Sequence, residues 1–140
     1  MINKLILLDI DGTLTNHEKK ITQKTKEVLI KAEQAGAKLM LASGRTRRGL
    51  LDFAETLMMN DFDGYLMCCN GAEIDECKSE KNLFTIDLSV EESKAVLRHL
   101  KQFERVRPMI NIGDYMIVED VYDCMIHLNG KEVNIMQYES

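Results

Sequence analysis

The 140-residue sequence predicts an α/β fold in which a doubly wound parallel sheet is followed by a smaller α+β part. Short apolar runs alternate with segments of helical periodicity through the first half of the chain, which is typical of β-α-β units. These apolar runs lack polar alternation, as expected for parallel strands covered on both faces. After Gly71 the order changes, so the chain is expected to divide within residues 71–88.

Composition is that of a globular protein and excludes several functions. The chain has 45% hydrophobic and 29% charged residues, enough for one buried core. A net charge of −5 argues against a general nucleic-acid binder, which would carry a basic surface. No apolar stretch has the length of a membrane helix, and early aspartates exclude a signal peptide. The four cysteines form no C-x-x-C pair, which favours free thiols in a reducing cytoplasm.

Three strands and two helices are predicted in the first part. The strands are expected at residues 5–8, 37–42 and 65–69, and the helices at residues 21–35 and 46–59. Thr22 stands where the first helix needs an N-cap, and Gly36 stands where that helix should stop. The β-α-β-α-β order indicates a parallel sheet with right-handed crossovers.

The second part is predicted to contain one helix among short strands. Ser89 followed by Glu92 matches a capping box, which should open a helix running to about residue 105. Four apolar residues of this segment are expected to face inward: Val96, Leu97, Leu100 and Phe103. Strands are expected at residues 72–77, 83–86, 109–112, 115–118, and at 124–128 and 133–137 around Asn129-Gly130, a strong hairpin signal.

Two aspartates at the end of the first strand carry the most chemical information. Asp9 and Asp11 flank Ile10, so an extended backbone points both carboxylates to one side and Ile10 into the core. Gly12 then permits a tight turn close to a ligand. Two crowded carboxylates need a cation or a shared proton, and all-oxygen ligands suit Mg²⁺. The alternative is an acidic turn without chemistry.

Polar residues also follow the second and third strands. Ser43 and Gly44 offer a hydroxyl and a free amide near a helix start, which favours either an anion site or a simple helix cap. Asn70 either donates to a substrate oxygen or accepts a left-handed turn beside Gly71. Because parallel strands end at one edge of a sheet, all these groups are expected to converge on one crevice.

Together these motifs resemble the haloacid dehalogenase-like superfamily of aspartyl phosphohydrolases, closest to its capped, Cof-type branch. The resemblance rests on residues 8–14 (Leu-Asp-Ile-Asp-Gly-Thr-Leu), 41–45 (Leu-Ala-Ser-Gly-Arg) and 70–72 (Asn-Gly-Ala). It implies a Rossmann-like core with Asp9 as nucleophile and Asp11 as general acid and base. It also implies Mg²⁺ bound by the Asp9 carboxylate and the Asp11 backbone carbonyl.

The resemblance extends to substrate binding. It implies that the Ser43 hydroxyl and the Gly44 amide bind the phosphoryl oxygens, with Arg45 assisting at the substrate. Three further residues are expected beside the phosphate: Gly12, Asn70 and Gly71.

Two motifs of the family are missing, a lysine and a downstream pair of acids. Gly113-Asp114 resembles the acidic motif but comes before any fourth core strand. The chain is therefore expected to be a truncated form, with apolar surface left uncovered. Residues 1–73 would form the N-terminal part of the core, 74–88 a hairpin or linker, and 89–140 a partial α+β cap.

The expected function is a Mg²⁺-dependent phosphohydrolase of a small phosphorylated metabolite, without nucleic-acid or membrane partners. A phosphomutase with the same intermediate and a non-catalytic remnant or interaction module are the alternatives. A response-regulator receiver domain is disfavoured because its phosphorylated Asp would end the third strand, where this chain has Cys69-Asn70. Arg47 and Arg48 are expected to be solvated.

Overall fold

The computed structural model describes residues 4–113, 115–118 and 134–137. The chain divides into two compact units, of which the first ends at Ile86 and the second begins at Asp87. Each unit contains one sheet. Within the described ranges, no helix is long and apolar enough to cross a membrane.

The first unit contains a five-stranded sheet in the order β1-β2-β3-β4-β5. Its strands are β1 (Lys4–Asp9), β2 (Ala37–Ala42), β3 (Tyr65–Cys68), β4 (Glu73–Glu76) and β5 (Asn82–Thr85). β1, β2 and β3 run parallel, which confirms the predicted α/β core. β4 and β5 are antiparallel, so the hairpin that follows the core continues the same sheet.

The first crossover helix, α1 (Gln23–Gln34), lies within the predicted range of residues 21–35 and has the predicted N-cap and stop residues. The Thr22 hydroxyl accepts a hydrogen bond from the Thr25 amide at 3.2 Å, which satisfies an amide that lacks an intrahelical partner. Gly36 has a φ of 97°, a left-handed conformation that suits glycine and stops the helix.

The second crossover is shorter than predicted. In place of a helix over residues 46–59, a 3₁₀ turn (Arg47–Gly49) precedes a short α-helix, α2 (Leu51–Thr56). The helix ends just before Met58, whose left-handed φ of 59° cannot continue it. The apolar residues with helical spacing therefore extend beyond both ends of α2, which is why the predicted helix was too long.

The core of the first unit lies around β2. Leu39 and Leu41 of this strand are fully buried, together with Ile10, Leu50, Leu57, Met59 and Leu66. β1 differs, because its Leu5 and Leu7 are 51% and 53% exposed. Within the described residues β1 has β2 as its one neighbour in the sheet. The expected uncovered apolar surface is therefore found on this edge strand.

The second unit combines α3 (Val90–Leu100) with β6 (Met109–Ile112), β7 (Tyr115–Val118) and β8 (Asn134–Gln137). The predicted capping box is formed: the Ser89 amide donates to Glu92 at 2.8 Å, and the Glu92 amide donates to the Ser89 hydroxyl at 3.2 Å. β6 and β7 are antiparallel, whereas β7 and β8 are parallel. Apart from β8, the hairpin predicted around Asn129-Gly130 lies outside the described residues.

The inward face predicted for α3 is only partly correct. Val96 is 47% exposed, and none of the described side chains of α3 is buried. Phe103, which is 49% exposed, lies beyond the helix, because α3 ends at Leu100 and not near residue 105. An amphipathic sequence places apolar residues on one stripe, but burial requires another element to face that stripe.

Glu33 is an unusual residue in the first unit, a carboxylate near the end of α1 that is 3% exposed. Neither of its oxygens accepts a hydrogen bond from the described residues. Burial raises its pKa from 4.5 to about 7, although the Lys38 charge opposes this rise. The Lys38 ammonium instead donates to the Phe62 carbonyl at 2.6 Å and to Asp63 at 2.9 Å.

This burial predicts a pH-dependent stability. Because the folded-state pKa of Glu33 lies above its unfolded value, the folded state retains a proton that the unfolded state releases between pH 4.5 and about 7. The free energy of unfolding should therefore fall as pH rises through that window, by at most about 3 kcal/mol. Urea unfolding of Glu33→Gln at pH 5 and pH 8 should show a smaller pH dependence than the wild type.

The matched control is Glu27→Gln, which changes an exposed carboxylate on the same helix. It should leave the pH dependence unchanged. An equal pH dependence in Glu33→Gln and the wild type would contradict this explanation.

Candidate active site

The loop after β1 presents the two aspartates as the sequence predicts. Ile10 is fully buried, whereas Asp9 and Asp11 on either side of it are exposed. Gly12 has a φ of 84°, which allows the chain to turn directly after the acid pair. The Thr15 hydroxyl and amide close this turn by donating to the Ile10 carbonyl at 2.9 and 3.1 Å.

The loop after β2 is held by β3 rather than by a helix. The Ser43 amide donates to the Met67 carbonyl at 3.0 Å, and the Ser43 carbonyl accepts from the Asn70 amide at 3.0 Å. The Arg45 carbonyl accepts from the Cys69 amide at 2.9 Å. The Ser43 hydroxyl accepts a 3.3 Å bond from the Arg45 amide. Ser43 therefore caps no helix, because the 3₁₀ turn begins later, at Arg47.

The third loop packs directly on the second. Asn70 and Gly71 have φ values of 58° and 92°, so the predicted left-handed turn is present. The Asn70 side chain also lies against Gly44, where an added Cβ would approach its Oδ1 to 2.9 Å. A side chain at position 44 would force the Asn70 side chain to move, so Asn70 makes a contact beyond its turn.

Arg45 links the first loop to the second. Its Nη2 lies 3.0 and 3.1 Å from the two oxygens of Asp11, and its Nε lies 3.3 Å from one of them. The guanidinium also lies over the Phe53 ring, 5.4 Å from its centroid. The sequence predicted Arg45 near the site, but no pattern indicated Asp11 as its partner.

The Asp9 side chain makes no hydrogen bond or ion pair with the described part of the chain, in contrast to Asp11. An exposed, unpaired carboxylate beside the Arg45–Asp11 ion pair is free to bind a cation or an electrophile. The Asp9 carboxylate and the Asp11 carbonyl are hard oxygen donors, which fit the preference of Mg²⁺.

A second group of side chains with metal-ligand spacing lies on β3 and β4. Ligand atoms of Cys68, Glu73 and Asp75 all lie within 4.8 Å of one another. Burial raises the pKa of Cys68 to about 12, so its thiol stays protonated at neutral pH. Asp75 is ion-paired with Arg47 at 3.5 Å. The group therefore resembles a buried charge cluster more than an oxygen-lined magnesium site.

This cluster corrects the sequence-based interpretation of Arg47. Its side chain is only 19% exposed and contacts two acids, Asp75 and Glu80. Arg48, by contrast, is exposed as predicted. The signal that could have located the cluster is the period-2 spacing of Glu73 and Asp75, which places two acids on one face of a strand.

Comparison with known proteins agrees with these features. A family model described as haloacid dehalogenase-like hydrolase matches residues 6–140. The 5-amino-6-(5-phospho-D-ribitylamino)uracil phosphatase YcsE of Bacillus subtilis is 37% identical over 71 residues, which are 51% of this chain and 27% of that protein. HMP-PP phosphatase of Yersinia pestis is 35% identical over 96 residues, 68% of this chain and 33% of that protein.

Among solved structures, a haloacid dehalogenase-like hydrolase from Bacteroides thetaiotaomicron superposes with a TM-score of 0.79 at 29% sequence identity. The match covers 99% of this chain and 53% of that one. The chain thus spans about a quarter to a half of the length of these three proteins. Because the family model matches nearly all of its residues, the chain belongs to the haloacid dehalogenase-like hydrolases.

Proposed function

We propose that this chain carries the phosphoryl-transfer site of a Mg²⁺-dependent phosphatase that acts on a small phosphorylated metabolite. The observation that carries the proposal is the unpaired, exposed carboxylate of Asp9. It lies one buried residue from Asp11, which is held by Arg45 from the next loop. The proposed nucleophile, proton donor and cationic group thus lie at the carboxyl ends of adjacent parallel strands.

In the proposed reaction, the Asp9 carboxylate attacks phosphorus and the ester P–O bond breaks. Asp11 donates a proton to the leaving oxygen, and the phosphoryl group remains on Asp9. Asp11 then takes a proton from water as the water oxygen attacks the same phosphorus; the P–O bond to Asp9 breaks, which releases inorganic phosphate and the free Asp9 carboxylate. Dividing one hydrolysis between two displacements lowers the barrier of each.

The Asp9 carboxylate and the Asp11 carbonyl would hold the Mg²⁺. The ion would offset charge on the phosphate and orient it for attack in line with the leaving oxygen. Asp11 keeps its carboxylate for proton transfer, because its backbone oxygen is the proposed ligand.

The second loop supplies groups for the phosphate oxygens. The Ser43 hydroxyl accepts a bond from the Arg45 amide, which leaves its proton free for a phosphate oxygen. The exposed Gly44 lacks a Cβ that would limit approach to its amide. Phosphate would also compete with Asp11 for the Arg45 guanidinium, so substrate binding and the release of Asp11 would be coupled.

The names of the relatives support a phosphorylated metabolite as the substrate, since both are phosphatases. We propose a cytoplasmic location on the basis of the free thiols of Cys68, Cys69 and Cys77. We further propose that residues 1–73 form part of the catalytic core, that residues 74–88 form a hairpin attached to it, and that residues 89–140 belong to a substrate-covering cap.

Asp9→Asn tests the nucleophile. The amide has nearly the same shape but cannot attack phosphorus, so phosphate release from an aryl phosphate with Mg²⁺ should fall to background. Beryllofluoride, which forms phosphate-like adducts with aspartate carboxylates, should give a bound ¹⁹F signal with the wild type and none with the variant.

Asp61→Asn is the matched control, an exposed aspartate outside the three site loops. It should retain phosphate release and the adduct. Wild-type turnover in Asp9→Asn would rule out the proposed nucleophile.

Ser43→Ala tests the phosphate-binding loop. Loss of a hydrogen bond to a charged group should weaken binding of inorganic phosphate roughly 10- to 100-fold. The melting temperature should change little, because Ser43 caps no helix. Isothermal titration and thermal unfolding measure the two effects separately.

Ser89→Ala provides the opposite pattern as a control. It removes the capping box of α3, so it should lower the stability of the second unit and leave phosphate binding unchanged. If Ser43→Ala lowers stability and leaves the phosphate affinity unchanged, Ser43 has no role in binding.

A further inference from the structure

Arg47 lies between the phosphate-binding loop and the β4–β5 hairpin. It opens the 3₁₀ turn that directly follows residues 43–45. Its Nε lies 3.5 Å from Asp75 on β4, and its Nη2 lies 3.6 Å from Glu80 in the turn between β4 and β5. The Asp75 side chain is only 3% exposed, so the guanidinium reaches into the interior of the first unit.

Asp75 is itself held in place by the hairpin. Its Oδ1 accepts a 3.0 Å hydrogen bond from the Asn82 side chain on β5. Its Oδ2 has no hydrogen-bond partner among the described residues, which leaves the Arg47 ion pair to compensate its charge. A buried carboxylate needs such a partner, so the hairpin and Arg47 constrain each other.

The 3₁₀ turn connects the position of Arg47 to that of Arg45. A Cβ on Gly49 would lie 3.1 Å from the Arg45 Cβ, so the last residue of the turn packs directly on the Arg45 side chain. The Leu50 amide donates to the Arg47 carbonyl at 2.9 Å, which closes the turn. A displacement of Arg47 would therefore move Arg45 relative to Asp11.

The charged groups around the Arg47–Asp75 ion pair are a further reason to expect that Arg47 stabilises this region. Arg47 is ion-paired with Asp75 and Glu80, and a carboxylate oxygen of Glu73 lies within 4.8 Å of one of Asp75. Burial raises the pKa of the Cys68 thiol, with Glu73 and Asp75 adding to the rise and the Arg47 charge opposing it. Removing Arg47 would leave the acids to repel one another beside the site loop.

We infer that Arg47 is a positioning residue, which fixes the Ser43–Arg45 loop by tying its following turn to Asp75 of the β4–β5 hairpin. Its effect on phosphate binding rests on the proposed function, whereas its effect on the loop conformation does not. Nothing in this role requires Arg47 to contact the substrate.

The test compares four variants of the 140-residue chain: Arg47→Met, Arg47→Lys, Asp75→Asn and the double variant Arg47→Met/Asp75→Asn. Backbone amide resonances of residues 43–45 report the loop conformation, and titration with inorganic phosphate and Mg²⁺ reports binding. Asp75→Asn is the sharpest variant, because it is nearly isosteric and changes a residue on β4, outside the second loop and its 3₁₀ turn. Arg48→Met is the matched control, since Arg48 is exposed and has no ion pair within the part of the chain that the structure describes.

We expect both Arg47→Met and Asp75→Asn to shift the amides of residues 43–45. Both should raise the phosphate dissociation constant about 3- to 10-fold. The phosphate dissociation constant of the double variant should be no higher than that of the weaker-binding single variant, because both substitutions remove the same Arg47–Asp75 ion pair. Arg47→Lys should be intermediate, since it keeps the charge without the planar fork. Arg48→Met should behave as the wild type.

Unshifted loop amides in Arg47→Met and Asp75→Asn would overturn the inference, as would shifts no larger than those of Arg48→Met. Fully additive losses in the double variant would also overturn it. If Arg47→Met fails to fold, Arg47→Lys and Asp75→Asn provide the same comparison. If the wild type binds no phosphate, the proposed function fails, and the amide shifts alone decide the positioning role.

Discussion

The parallel pairing of β1, β2 and β3 is the constraint on which the candidate site depends. It brings the three loops that follow these strands to one edge of the sheet. The pairing of β2 with β3 also continues past the strands, because the Ser43 amide and carbonyl bond to Met67 and Asn70. Backbone hydrogen bonds therefore hold the second loop against β3 and the loop that follows it, and side-chain contacts add to this attachment.

Two arginines of the second loop and its following turn, only two residues apart, form ion pairs with different elements of the first unit. Arg45 pairs with the exposed Asp11 of the first loop, whereas Arg47 pairs with the buried Asp75 of the hairpin. The first ion pair is accessible to an anionic ligand, which can compete for the guanidinium. The second is shielded from water, where charge interactions are stronger and breaking them costs more. One short segment can therefore combine an exposed ion pair that a ligand can replace with a buried ion pair that holds the structure.

Buried carboxylates in the first unit show how burial alone does not define a role. Asp75 and Glu33 are similarly buried, but Asp75 has an arginine and an amide as partners. Glu33 has no hydrogen-bond partner among the described residues, because the neighbouring Lys38 is engaged by Phe62 and Asp63. Burial raises the pKa of Glu33, and the Lys38 charge offsets only part of that rise. A buried carboxylate with charged and polar partners, Asp75, can thus hold two elements together, whereas one without them, Glu33, makes stability depend on pH.

Local sequence determined the strands of the core, the caps of α1 and α3, and the exposed acids around Ile10, because apolar periodicity, N-cap chemistry and strand alternation act over a few residues. It could not determine where α2 begins, how far the face of α3 is covered, or that Arg45 contacts Asp11 and Arg47 contacts Asp75. The two ion pairs connect residues about 30 positions apart, and the burial of a helix face depends on which element packs against it. Only the tertiary structure decides such features.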